Sequence, residues 1–85
     1  MIKAWTDDAW ADYMYWHKQN DKQTIKRINK LIGDIDRHPF EGLGKPEPLK
    51  YELANTWSRR ITQEHRLVYQ IESDTMYILS ARDHY

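Results

Sequence analysis

The sequence contains no cysteine, which removes disulfide scaffolds, thiolate metal sites and cysteine nucleophiles together. No stretch approaches the roughly 20 consecutive apolar residues that a membrane-spanning helix needs. The opening Met1-Ile2-Lys3-Ala4-Trp5-Thr6-Asp7-Asp8 has no apolar h-region, so no secretory signal is expected. A small domain without disulfides or a leader is expected in the cytoplasm. Net charge is also missing: 13 Lys and Arg balance 13 Asp and Glu, which argues against a general nucleic-acid coat.

What is present is an ordinary globular composition, 40% apolar and 31% charged, neither disordered nor collagen-like. At 85 residues the chain has surface enough for one small core, so a single domain over residues 1–85 is expected. Four Trp and six Tyr are an excess that helps a small core reach sufficient buried area. The same side chains can stack on bases, so they do not by themselves separate structure from function. Charge is unevenly placed. Residues 25–60 hold eight Lys/Arg against five Asp/Glu, a local surplus that can leave one basic face on a neutral molecule.

Along the chain, Ile2 to Trp5 reads as a strand. Thr6 then reads as an N-cap, with Asp7 and Asp8 in the first turn where the helix dipole favours negative charge. As far as His17, apolar residues at Trp10, Tyr13, Met14 and Tyr15–Trp16 fit a helical face better than alternation. Asn20-Asp21 interrupts. Ile25, Ile28, Leu31, Ile32 and Ile35 then recur at three- and four-residue steps, a second helix with Lys26, Arg27 and Lys30 on its other side. Gly33 weakens its last turn, and His38-Pro39 ends it, because the residue before proline avoids helical dihedrals. Residues 39–48 read as loop. Lys50 to Leu53 is a candidate short strand. Period-two alternation marks strands through Trp57–Thr62, Arg66–Ile71 and Met76–Ala81, with hairpin breaks at Gln63–Glu64 and Ser73–Asp74. The expected fold class is α+β: a small antiparallel sheet of four to five strands with two N-terminal helices packed on one face.

Familiar chemical motifs fail. Gly42-Leu43-Gly44-Lys45 is followed by Pro46 rather than Ser or Thr and preceded by a helix, so it is not a phosphate loop. His17, His38, His65 and His84 have no paired ligand spacing, so no metal is expected. What remains is a polar set after the helices: Glu47, Lys50, Arg59, Arg60, Arg66, His84 and Tyr85. If Leu67, Tyr69 and Ile71 face the helices, Arg66 and one of the Arg59/Arg60 pair share the opposite face. A carboxylate there can take a proton from a 2′-hydroxyl, an Arg can stabilise the charge added at phosphorus, and a His can protonate the departing oxygen. RNA cleavage by that route needs no metal or other cofactor. Each residue also has a bland reading: Glu47 as a solvated loop carboxylate, Arg66 as a surface ion-pair partner, Arg59-Arg60 as an edge-strand guard, and His84-Tyr85 as a frayed end. On composition and spacing alone, the bland readings lead.

Four segments shift that balance. Gly44-Lys45-Pro46-Glu47-Pro48-Leu49-Lys50, Trp57-Ser58-Arg59-Arg60-Ile61-Thr62, Glu64-His65-Arg66-Leu67-Val68-Tyr69 and the terminal His84-Tyr85 resemble the YoeB family of toxins, within the RelE superfamily of bacterial type II toxin–antitoxin systems. The resemblance spans essentially the whole chain. It implies a RelE-like β-α-α-β-β-β fold and metal-independent, ribosome-dependent cleavage of mRNA in the A site, which inhibits translation. By motif position it makes Glu47 the general base, Arg66 the transition-state stabiliser, His84 the general acid and Tyr85 a residue that helps hold substrate. Lys45, Lys50, Arg59 and Arg60 are the candidate substrate-binding cations. Asp83 departs from some relatives beside the His-Tyr pair. The partners implied are the 70S ribosome, mRNA, a YefM-type antitoxin and, through the antitoxin complex only, operator DNA. The sequence does not set the oligomeric state and allows a homodimer. The alternative is a non-catalytic ribosome A-site or RNA-binding protein that inhibits translation and leaves mRNA intact.

Overall fold

The computed structural model describes residues 1–50 and 54–83. Strand β1 (Ile2–Trp5) leads into helix α1 (Asp7–Lys18), helix α2 (Lys22–Arg37), a short strand β2 (Glu47–Pro48), and strands β3 (Thr56–Arg60), β4 (Arg66–Glu72) and β5 (Thr75–Ser80). The five strands form one sheet in the order β1-β5-β4-β3-β2. Two helices beside a five-stranded sheet make an α+β fold, as the periodicities imply. In one respect the sheet differs from the expected antiparallel one. β2 to β5 are antiparallel to their neighbours, but β1 pairs with β5 in parallel, so the sheet is mixed. That pairing joins the two ends of the chain and leaves no local trace in the sequence.

Capping explains where the helices begin. The Thr6 hydroxyl accepts from the Ala9 N–H and donates to the Leu79 carbonyl, so one side chain both starts α1 and ties it to the end of β5. The Asp21 carboxylate accepts from the Thr24 N–H and hydroxyl, which turns the expected interruption into the N-cap of α2. The last turn of α2 is intact despite Gly33, because its Asp34 and Ile35 are both buried and anchored to the rest of the fold. Ile28, Leu31 and Ile35 of α2 meet Leu67, Tyr69, Met76 and Ile78 of the sheet in one core, completed by Ala9 and Trp16 of α1.

Two local expectations need correction. The loop read over 39–48 ends early, because Glu47 and Pro48 pair with Ser58 and Trp57 as β2. The Leu49 N–H extends that ladder to the Thr56 carbonyl. A two-residue strand between prolines has no room to show alternation. The strand expected at Lys50–Leu53 is not supported at Lys50, which lies in a turn, and its remaining residues, 51–53, lie outside the described residues.

Candidate active site on the sheet face away from the helices

The register of the sheet decides which of the candidate residues meet. Leu67 and Tyr69 enter the core, so Arg66 and Val68 point to the far face. Arg60 lies directly opposite Arg66, and Ser58 opposite Val68. Glu47 lies opposite Ser58 on the other side. Glu47, Arg60 and Arg66 therefore share one face, with the buried Ser58 and Val68 between them. Strand spacing puts the Glu47 and Arg66 Cα atoms roughly 12 Å apart on the diagonal, a gap that the two side chains can close on a phosphodiester. Glu47 and Arg60 are exposed and Arg66 is half-buried.

Arg66 has a defined resting place. Its Nη1 donates to the carbonyls of Thr62, Gln63 and His65, so the guanidinium is rooted on the β3–β4 turn. Its main-chain N–H donates to the carbonyl of Asp83, which brings the C-terminal segment alongside the same residue. His84 and Tyr85 follow directly and lie outside the described residues. Lys45 and Lys50 are exposed on either side of β2. Asp83 places its carboxylate near its neighbour, 4.0 Å from Arg82 Nε.

Arg59 does not join this face. It alternates onto the helix side opposite Leu67 and is 0% exposed. Its Nε donates to the Tyr69 hydroxyl, its Nη1 to Asp34 Oδ2 at 2.6 Å and to the Leu43 carbonyl, and its Nη2 to the carbonyls of His38 and Glu41. All five guanidinium donors are engaged, so none remains for a phosphate. Its expected role as a substrate-binding cation is corrected to that of an internal anchor. For Arg59 the edge-guard reading falls for the same reason; Arg60 is exposed.

That anchor sets the loop on which Glu47 is carried. The Asp34 carboxylate also accepts the Leu43 N–H. The Tyr69 hydroxyl donates to the Pro39 carbonyl, and burial pushes its phenol above the ordinary value, which keeps it a donor. The Leu43 N–H and then the Arg59 guanidinium hold the Asp34 carboxyl below the usual carboxylate range. Gly44 passes so close that a Cβ would meet the Leu31 side chain at 2.9 Å and the Arg60 carbonyl at 3.1 Å, at φ +80°. From there the Gly44 carbonyl accepts the Arg60 N–H, and β2 begins three residues later. The sequence held one signal of this anchor: Asp34 stands three residues after Leu31 on the apolar stripe of α2, a position where a carboxylate needs a buried partner.

Comparison with known proteins agrees with the motifs. Residues 5–85 match the family described as YoeB-like toxin of bacterial type II toxin-antitoxin system. Toxin YoeB of Escherichia coli K12 is 54% identical over 85 residues, covering both chains fully. A YoeB/ParE toxin from Agrobacterium tumefaciens superposes with a TM-score of 0.93 at 45% identity, again over the whole of both chains. A chain of the YoeB dimer from Staphylococcus aureus superposes with a TM-score of 0.91 at 44% identity. A chain of the heterotetrameric YoeB-YefM complex from Staphylococcus aureus does so at 0.87 and 44%, in each case over 100% of this chain and 98% of the other. The motif carriers, the strand order and these likenesses agree: the chain belongs to the YoeB-like toxins of bacterial type II toxin–antitoxin systems.

Proposed function

We propose that this toxin is an endoribonuclease that enters the ribosomal A site and cuts mRNA there without a metal, halting translation. The observation that carries the reading is the far-face grouping. Glu47 on β2 and the Arg60/Arg66 pair on β3 and β4 share one face, and the carbonyl of Asp83, the residue before His84 in the sequence, accepts the Arg66 N–H. In the reaction, the Glu47 carboxylate takes the proton of a 2′-hydroxyl, and that oxygen attacks the adjacent phosphorus. Arg66 stabilises the charge that builds on the non-bridging oxygens. His84 gives its proton to the departing 5′-oxygen, and Tyr85 helps hold the substrate. Lys45, Lys50 and Arg60 supply positive charge along the RNA backbone. The products are a 2′,3′-cyclic phosphate and a 5′-hydroxyl. The natural partner is a YefM-type antitoxin, in keeping with the Staphylococcus aureus complex, and the site of action is the cytoplasm.

The test is purified toxin on ribosomes programmed with a defined mRNA, with both RNA ends mapped. A cut within the A-site codon is expected. Stalled ribosomes on intact mRNA would replace the nuclease with an A-site blocker.

A further inference from the structure

The three residues before His84 in the sequence follow β5 and are gripped by other elements of the fold. The Ala81 carbonyl accepts from Trp16 Nε1 at 2.9 Å, and its N–H donates to Asp12 Oδ2 at 3.0 Å. The Arg82 guanidinium lies 3.6 Å over the ring of Tyr15. The Asp83 N–H donates to His65 Nδ1 at 2.7 Å, with Asp83 at φ 67°, a left-handed conformation that few residues other than glycine and Asn/Asp adopt readily. Helix α1 holds the first two residues, and the third is held at its N–H by the β3–β4 turn and at its carbonyl by the Arg66 N–H of β4.

The histidine making the last of these contacts is itself fixed. Its carbonyl accepts from Ile61 and Thr62 N–H groups, its own N–H donates to the Thr62 hydroxyl, and its ring packs edge-on against Trp16 at 4.9 Å. To accept at Nδ1 the imidazole must be neutral, with its proton on Nε2. The bond falls on the last peptide N–H before the one that leads to His84, where a small change in direction moves everything beyond it.

We propose that His65 is a positioning residue for the reaction: through Nδ1 it sets the direction in which the chain leaves Asp83, and so the approach of the general acid. This rests on the nuclease reading, in which His84 is that acid. His65 does not touch substrate. Its effect falls on the chemical step rather than on binding, because a misplacement of about 1 Å in a reacting group can cost on the order of 10² in rate.

The test compares His65→Leu with His65→Asn. Leu keeps an apolar contact for Trp16 but has no acceptor. Asn places its Oδ1 close to where Nδ1 stood. On programmed ribosomes, His65→Leu is expected to lower kcat by about 10- to 100-fold with KM within about twofold, and His65→Asn to recover most of that loss. Independently of cleavage, exchange of the Asp83 amide proton is expected to be slow in the wild type and in His65→Asn, and about tenfold faster or more in His65→Leu. Wild-type kcat in His65→Leu, or equal loss in both variants, would overturn the proposal. If the wild type cuts no RNA at all, the nuclease reading fails. The exchange contrast would then still decide whether His65 holds the tail.

Discussion

Glu47→Ala is expected to slow single-turnover cleavage on programmed ribosomes by about 10²–10⁴, the range for loss of a general base, and to leave the fold as it was. The second half of that expectation follows from geometry. Glu47 is exposed on the edge strand β2, and its place in the sheet is held by main-chain pairing with β3, which does not depend on its side chain. An exposed substitution of this kind changes stability by no more than about 0.5 kcal/mol. Glu47→Gln, which keeps shape and removes basicity, is expected to be nearly as slow. Arg66→Ala on the same assay loses on the order of 10²–10³, together with three hydrogen bonds to the β3–β4 turn, so its melting curve should accompany its rate. Near-native cleavage by Glu47→Ala would remove it as the base.

Arg59→Met produces the opposite pattern, a damaged fold. Removing the guanidinium strips Asp34 of its buried ion-pair partner, leaving only the more exposed Arg37 at 3.8 Å, and leaves the carbonyls of His38, Glu41 and Leu43 without their shared donor. Breaking a buried pair from one side costs about 3–5 kcal/mol, and for a domain of this size each kcal/mol lowers Tm by about 4–8 °C. Arg59→Lys restores the charge but not the five-donor fork, so it is expected to recover only part of the loss. The acid response should change as well. The folded-state Asp34 carboxyl lies below its unfolded value, so its contribution is fully present above roughly pH 4 and fades as pH falls through the folded value. In Arg59→Met that depression shrinks and the acid limb becomes shallower. Asp21 and Asp36, held down by Thr24 and by Lys3 with the N-terminal amine respectively, keep their share. Denaturant titrations at pH 7 and at about pH 3 measure both effects, and a variant within about 1 kcal/mol of wild type at pH 7 would contradict the anchor.

The parts of this fold that were legible from sequence are those written in local repeats. The Ile and Leu spacing of α2, the Thr6 cap and the alternation of β3, β4 and β5 each involve neighbours within a few residues. The parallel docking of β1 on β5 was hidden because its partners are some 70 residues apart. β2 was hidden because two residues cannot show a period. For the site, strand alternation correctly sent Arg66 and one of the two adjacent arginines to the far face, and the register identifies that arginine as Arg60. The same alternation placed Arg59 with Leu67, but its charge suggested the surface. Only a carboxylate on the buried stripe of α2 hinted otherwise. The contact between His65 and Asp83 had no sequence signal, since it depends on a turn and a chain terminus meeting in space.

The measurement that bears most directly on the mechanism uses an mRNA carrying a single 2′-deoxy nucleotide on the 5′ side of the scissile bond, read on programmed ribosomes beside the all-RNA control. If Glu47 activates that 2′-hydroxyl, the control yields a 2′,3′-cyclic phosphate with a 5′-hydroxyl, and the substituted message is not cut at that bond. Cleavage of the deoxy-substituted bond, or a product bearing a 5′-phosphate, would mean that water rather than the 2′-oxygen attacks phosphorus, and that Glu47, Arg66 and His84 do not divide the chemistry as proposed.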